Sequence, residues 1–191
     1  FIIDDLPYDF WPVSWELAES IANARAGRSW AVAASLIADA KVLYHRSQRD
    51  LDRFNALQAR IAELTKPEGR QIMVGRALGE FKNTLFQLGQ MRFALAEGDV
   101  SGLHWAGWKF VNSAVNCLAL VNQTYFTKGW GANLPQVLKM SQKPAGLEKM
   151  LRNIIMPQDA DDMLETAGRL AREVRGILLA AQASISEPVA A

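Results

Sequence analysis

From residue 51 onward, apolar side chains recur every three or four positions, and no strand-like alternation interrupts them. Leu51, Phe54, Leu57, Ile61 and Leu64 form the first series, and Pro67 closes it. Side chains that return to one face at that spacing belong to an α-helix, because 3.6 residues complete a turn. Val74, Leu78, Phe81, Leu85, Leu88 and Leu95 predict a long second helix over about 68–97, ended by Gly98. Asp99 or Ser101 caps a third, which runs to about residue 126. The paired glycines of Lys128-Gly129-Trp130-Gly131 predict a loop. Asn133 then opens a short helix with Val137 and Leu138, and another spans about 145–156 before Pro157. Asp159 caps the last helix, whose inner face is Met163, Ala167, Leu170, Val174, Ile177 and Ala181. Its outer face sets Glu165, Arg169 and Glu173 four apart, as solvated ion pairs prefer.

The first 64 residues read differently. Short β-branched or aromatic runs at 1–3 and 8–11 flank Asp4-Asp5-Leu6-Pro7, which predicts strand, turn and strand, with Pro12 as the stop. Ser14 caps a helix that carries Leu17, Ile21 and Ala24 and ends at Gly27. A second apolar helix is predicted over 30–40, and one more short strand over 41–44. The fold class is therefore mainly α: an antiparallel helical bundle over 66–184, preceded by a small strand-containing segment over 1–64. Residues 185–191 are expected to be a frayed tail. Three apolar residues followed by two aspartates, with no initial methionine, are expected to mark a truncation.

Composition excludes several classes of function. With 21 basic and 20 acidic residues among 191, the formal net charge is +1. That balance gives no counterion-driven case for nucleic acid or for a charged membrane surface. The longest apolar stretch, 103–126, contains His104, Lys109, Asn112, Asn116, Asn122 and Gln123, a polar load that a membrane span would not carry. A soluble, cytoplasmic protein is the expectation. The single Cys117 sits in an apolar run, as a small core residue of a reducing compartment would. His45 and His104 have no Cys or acid at metal-ligand spacing, so no zinc site is expected.

Two constellations remain as candidates for chemistry. Asp9 stands between Tyr8 and Phe10, where a strand carboxylate can project into a cleft as metal ligand or general base, or simply face water. On the third helix, Trp105, Trp108, Lys109, Asn112, Asn116 and Gln123 fall in one stripe about 100° wide. A plain solvent face is rich in Lys and Glu; amides, one cation and two indoles suit a half-buried surface with fixed hydrogen-bond partners. Asn83, Gln87 and Gln90 repeat the theme on the preceding helix. Such faces would bind either a polar ligand or another protein surface. Gly75 and Gly79 on that helix are expected to permit close helix approach.

The run Asp4-Asp5-Leu6-Pro7-Tyr8-Asp9-Phe10-Trp11-Pro12-Val13-Ser14-Trp15-Glu16 resembles the strand that closes the catalytic core of small nucleotidyltransferases of the polymerase-β superfamily. Leu36-Ile37-Ala38-Asp39-Ala40-Lys41-Val42-Leu43-Tyr44 is similar to the segment that follows it there. Asn122-Gln123-Thr124-Tyr125-Phe126-Thr127-Lys128-Gly129-Trp130-Gly131 resembles bacterial nucleotidyltransferase-like proteins with a helical C-terminal domain, and the whole arrangement is similar to that of kanamycin-type enzymes. The resemblance implies that residues 1–64 are the edge of an α/β catalytic domain. It implies transfer of a nucleoside monophosphate from a nucleoside triphosphate to a hydroxyl, with Mg²⁺ held by strand carboxylates and Asp9 in the place of the third acid. Its other partners would be the missing N-terminal catalytic domain and a small hydroxyl-bearing acceptor. A homodimer is one of the oligomeric states left open. The chain has no Gly-Ser phosphate loop, and Asp50-Leu51-Asp52 and Asp159-Ala160-Asp161 open helices rather than end strands. Alone, it is expected to be inactive. The alternative is a non-catalytic helical interaction module.

Overall fold

The computed structural model describes residues 2–3, 6–7, 12–25, 29–127 and 133–186. Its spine is a pair of antiparallel helices, α5 (Arg70–Ala96) and α6 (Val100–Val121), joined through a single tight reversal. Gly98 makes that reversal possible with φ +68°: its amide donates to Leu95 O at 3.1 Å, and the Asp99 amide donates to Ala94 O at 2.9 Å. This left-handed cap satisfies the last carbonyls of α5. The Asp99 carboxylate then accepts from Gly102 N at 2.9 Å and starts α6, so Asp99 rather than Ser101 is the cap.

The long helix α9 (Ala160–Ser186) lies against both members of the spine, and α8 (Leu147–Ile155) bridges α6 and α9. Phe110, Leu118, Leu151, Ile154 and Met163 are fully buried where these helices meet. Each such side chain contributes about 1.5–3 kcal/mol by leaving water. The close approach is at Gly107 of α6, where a Cβ would overlap Met163 Cε. Gly75 and Gly79, expected to serve that purpose, face open space: a Cβ at either meets nothing within 4 Å among the described residues. The α5 stripe also differs from the simple apolar series. Leu85 is exposed, whereas Glu80, Thr84 and Gln87 are buried against the neighbouring helices. Helix α7 (Asn133–Leu138) precedes α8, and Asp159 caps α9 by accepting from Asp162 N at 2.8 Å. Glu165, Arg169 and Glu173 form no ion pair within 4.0 Å among the described residues.

The N-terminal segment is built from shorter pieces. α1 (Trp15–Ala22) is capped by Ser14 Oγ, which accepts from Leu17 N at 3.2 Å. It stops before the expected Gly27 because Ala24 takes φ +52°, and Arg25 N donates back to Ser20 O at 2.8 Å. This is a glycine-type cap made on alanine. The helix predicted over 30–40 is split into α2 (Trp30–Ala33) and α3 (Ser35–Ala38). The buried Trp30 donates its Nε1–H to Ile21 O at 2.8 Å, tying α2 to α1. α4 (Gln48–Leu64) is capped by Ser47, whose Oγ accepts from Asp50 N at 3.2 Å, and Asp50 is the acid of its first turn.

Three expectations about strands and helix ends are corrected. Ile2–Ile3 pair antiparallel with Leu6–Pro7, inside the predicted turn, and no other strand occurs among the described residues. Residues 8–11, Asp9 among them, lie outside the described residues. Residues 41–44 are not a strand; they run without a ladder partner, with Leu43 95% and Tyr44 84% exposed. A strand there would need a neighbour to accept its backbone hydrogen bonds. Finally, α6 ends at Val121 rather than near residue 126, because Gln123 takes φ +50° and Thr124 N donates back to Ala119 O at 3.0 Å. The chain then crosses to α2, where Phe126 N donates to Ala31 O at 2.7 Å and the Phe126 ring is fully buried.

Candidate functional site

Leu103, Ala106, Gly107 and Phe110 turn inward along the first half of α6, and that leaves Trp105 and Trp108 on its outer side. The two indoles stack with centroids 5.7 Å apart and planes 8° from parallel, while remaining 59% and 46% exposed. Lys109 Nζ lies 4.8 Å from the centre of the Trp105 ring, a cation–π contact of about 0.5–1 kcal/mol at an exposed position. Beside them, between α6 and the end of α8, is a recess of about 540 Å³ lined by Ser101, His104, both tryptophans, Ile154 and Ile155. An aromatic platform of this size rims a cavity rather than filling a core.

Further along α6 the predicted stripe enters the protein. Asn112 is half-buried, and its carbonyl accepts from Asn116 Nδ2 at 2.8 Å. Asn116 is fully buried, and its Oδ1 has no hydrogen-bond donor among the described residues. Asn83 of α5 donates to Ser113 Oγ at 2.5 Å, and Ser113 Oγ donates in turn to Lys109 O at 3.0 Å. Gln87 is buried, whereas Gln90 faces out. An amide of α5 thus meets a hydroxyl of α6 across the helix interface. Gln123 holds another junction: its side-chain amide donates to Leu64 O and Lys66 O, where α4 turns into α5. Of the six stripe residues, the structure gathers Trp105, Trp108 and Lys109 at the surface with Asn112 at the margin. It sets Asn116 and Gln123 to internal bonding.

The bundle's one thiol, Cys117, is buried in the core. Burial, and secondarily the Glu80 carboxylate, push the Cys117 thiol up to about 12, so almost no thiolate exists near neutrality. No group of three His, Cys, Asp or Glu able to hold a metal ion occurs among the described residues, and Asp9 lies outside them. No helix among the described residues is long and apolar enough to cross a membrane.

Two features escaped the sequence analysis. One is an apolar groove of about 840 Å³ on the N-terminal segment, where Trp15, Leu36, Val42, Leu43, Tyr44 and Phe54 converge. The other is a recess on α5 over Gly75 and Gly79, where Arg25, Arg76 and Lys82 converge. Gly75 and Gly79, four apart on one face of α5, line it.

The family model described as the KNTase C-terminal domain matches residues 51–181, well over half of the chain. The chain belongs to this family. Its bundle, from the first turns of α4 to the last turns of α9, is thus a kanamycin nucleotidyltransferase-like C-terminal helical part. The match begins at Leu51, so the segment that carries Asp9 and the apolar groove's exposed rim lies ahead of the family domain. No curated protein and no solved structure matches the chain.

Proposed function

We propose that this chain is the C-terminal portion of a Mg²⁺-dependent nucleotidyltransferase, in which the bundle binds the hydroxyl-bearing acceptor and the catalytic carboxylates lie elsewhere. The family match over 51–181 carries this reading. The chemistry would move a nucleoside monophosphate from a nucleoside triphosphate to the acceptor hydroxyl, and it needs an in-line approach and charge neutralisation more than covalent help from the protein. Asp9 would contribute one carboxylate, alongside the acids and phosphate-binding loop of an N-terminal catalytic domain. The part assigned to the bundle is positioning. The stacked Trp105 and Trp108, with Lys109 and Asn112 beside them, offer an apolar platform with a cation and an amide at its edge. That combination suits a small polar acceptor with an apolar face. A cytoplasmic location fits the buried thiol.

A second reading has its own support. Leu36, Val42, Leu43 and Tyr44 expose apolar surface around the 840 Å³ groove, as a face made to meet another protein surface would. Under it, the segment ahead of α4 docks a protein domain, and the chain serves as a helical interaction module. The two readings separate kinetically in the complete protein. Trp105→Ala with Asn112→Leu should raise the acceptor KM by roughly tenfold while leaving kcat nearly unchanged, the signature of lost binding without lost chemistry. An unchanged acceptor KM would remove the platform from the reading and favour the interaction module.

A further inference from the structure

We propose that the outer face of α5 over residues 82–93 docks an acidic amphipathic helix of a partner protein. The inference goes beyond the transfer reading and uses none of its residues. Lys82, Leu85, Phe86, Gly89, Arg92 and Phe93 are all exposed and fall in one arc of α5 about 120° wide. The opposite arc holds Thr84, Gln87, Leu88 and Met91, which are buried. Leu85 is 46% exposed, Phe86 60% and Phe93 65%. Single exposed apolar residues are ordinary, but two phenylalanines and a leucine on one face of one helix make a patch.

The patch has a shape. Phe86 and Phe93 stand two turns apart, about 10 Å along the axis, and Gly89 lies between them. Glycine in an exposed helix is a poorer choice than alanine. Gly107 answers for its place by admitting Met163, whereas a Cβ at Gly89 meets nothing within 4 Å among the described residues. The result is a notch between two rings. A lipid surface gains nothing from a notch, whereas an aliphatic side chain of a crossing helix fills it, as anchors at i, i+3, i+4 and i+7 do on such faces.

Charge selects the kind of helix. α5 carries Arg70, Arg76, Lys82 and Arg92 but a single carboxylate, Glu80. Glu80 is only 6% exposed, and its Oε1 accepts from Ser29 N at 2.6 Å. Neither Lys82 nor Arg92 has an ion-pair partner among the described residues. An apolar patch with cations at its margins, on a helix with no exposed carboxylate, complements an apolar stripe flanked by Asp and Glu. A second copy of this face would set cation against cation instead.

The test uses the chain of residues 1–191 with fluorescent, helix-stabilised peptides, followed by anisotropy. One peptide has leucines along a single face and glutamates beside them. A second has lysines in place of the glutamates, and a third scrambles the first so that no face is apolar. The glutamate peptide should bind, with affinity falling as salt is added, and the other two should bind more weakly by roughly tenfold or more. Gly89→Leu fills the notch, and Phe86→Ser with Phe93→Ser removes its rims. Each should weaken the glutamate peptide by roughly tenfold or more while the helical circular-dichroism spectrum is unchanged. Lys82→Glu with Arg92→Glu should reverse the preference, so that the lysine peptide binds better. The proposal is overturned if the glutamate peptide does not bind or if the scrambled peptide matches it. It is equally overturned if folded Gly89→Leu, or the folded double serine variant, binds as the unaltered chain does, or if the charge reversal leaves the preference as it was. Sedimentation with anionic phosphatidylserine vesicles, without peptide binding, would overturn it in favour of a membrane surface.

Discussion

Residues 12–46 and residues 51–181 obey different rules within one molecule. The bundle buries continuous faces of α5, α6, α8 and α9, leaves Phe86, Phe93, Trp105 and Met156 on its outside, and uses glycine at the turn between α5 and α6 but Gln123 in left-handed backbone after α6. The N-terminal segment has helices of four to eight residues, places Ala24 and Ser29 in left-handed backbone, and leaves Leu43 and Tyr44 largely in water. The bundle is made of long helices with continuous buried faces, whereas the segment ahead of it is made of short pieces tied together by single hydrogen bonds. Yet the two are not independent. Trp30, Ala31 and Ile37 belong to the same continuous core as Phe110 and Leu118, and Phe126 is hydrogen-bonded to Ala31.

The sharpest way to break this comparison is at Trp30. If the short helices share the bundle's core, Trp30→Ala should cost about 3–5 kcal/mol in a single denaturation transition. A separate early transition, with the bundle unaffected, would mean two independently folding parts. Next in size is the contrast between two kinds of glycine. Gly107→Val should cost about 1–3 kcal/mol by forcing Met163 aside, whereas Gly79→Ala should gain about 0.5–1 kcal/mol. Thermal melts of the two variants moving the same way would undo the distinction between packing and cavity glycines. The smallest effect concerns the tie between the regions, where Tyr125 OH donates to Asp39 at 3.1 Å. Burial first, then the Asp39 charge and this bond, hold the phenol above its usual range. The unfolded phenol therefore ionises first, so this contribution to stability is present below about pH 10 and lost as pH rises through the folded value. Tyr125→Phe should flatten the alkaline decline in stability, as followed by denaturant midpoints, while costing less than about 1 kcal/mol at neutral pH.

The bundle was legible because amphipathic periodicity, Asp99 and Asp159 as caps, and Gly98 as a stop all act locally. Helix ends that depend on non-glycine residues in left-handed backbone were not legible: Ala24 and Gln123 look like helix interior until tertiary bonds hold them. The strand at 41–44 failed for a related reason. Its β-branched and aromatic letters are necessary for a ladder, but pairing is supplied by a neighbour that sequence spacing does not reveal. At the site, the period put Trp105, Trp108 and Asn116 on one stripe, of which the tryptophans are exposed and Asn116 is fully buried, and Gln123 lies past the end of α6. The period could not tell which end of the stripe α8 and α9 leave open, because that depends on contacts between helices distant in sequence. Arg25, Arg76 and Lys82 come together for the same reason, and no local pattern announces them.

The central claim is that the family bundle serves a transferase whose chemistry depends on Asp9. Its most direct measurement is nucleotidyl transfer by the complete protein, with α-labelled ATP, Mg²⁺ and a panel of hydroxyl-bearing acceptors, comparing the unaltered protein with Asp9→Asn. The account predicts label transfer by the first, a loss of roughly a hundredfold or more in the second, and matching melting temperatures. Full activity in Asp9→Asn would contradict it.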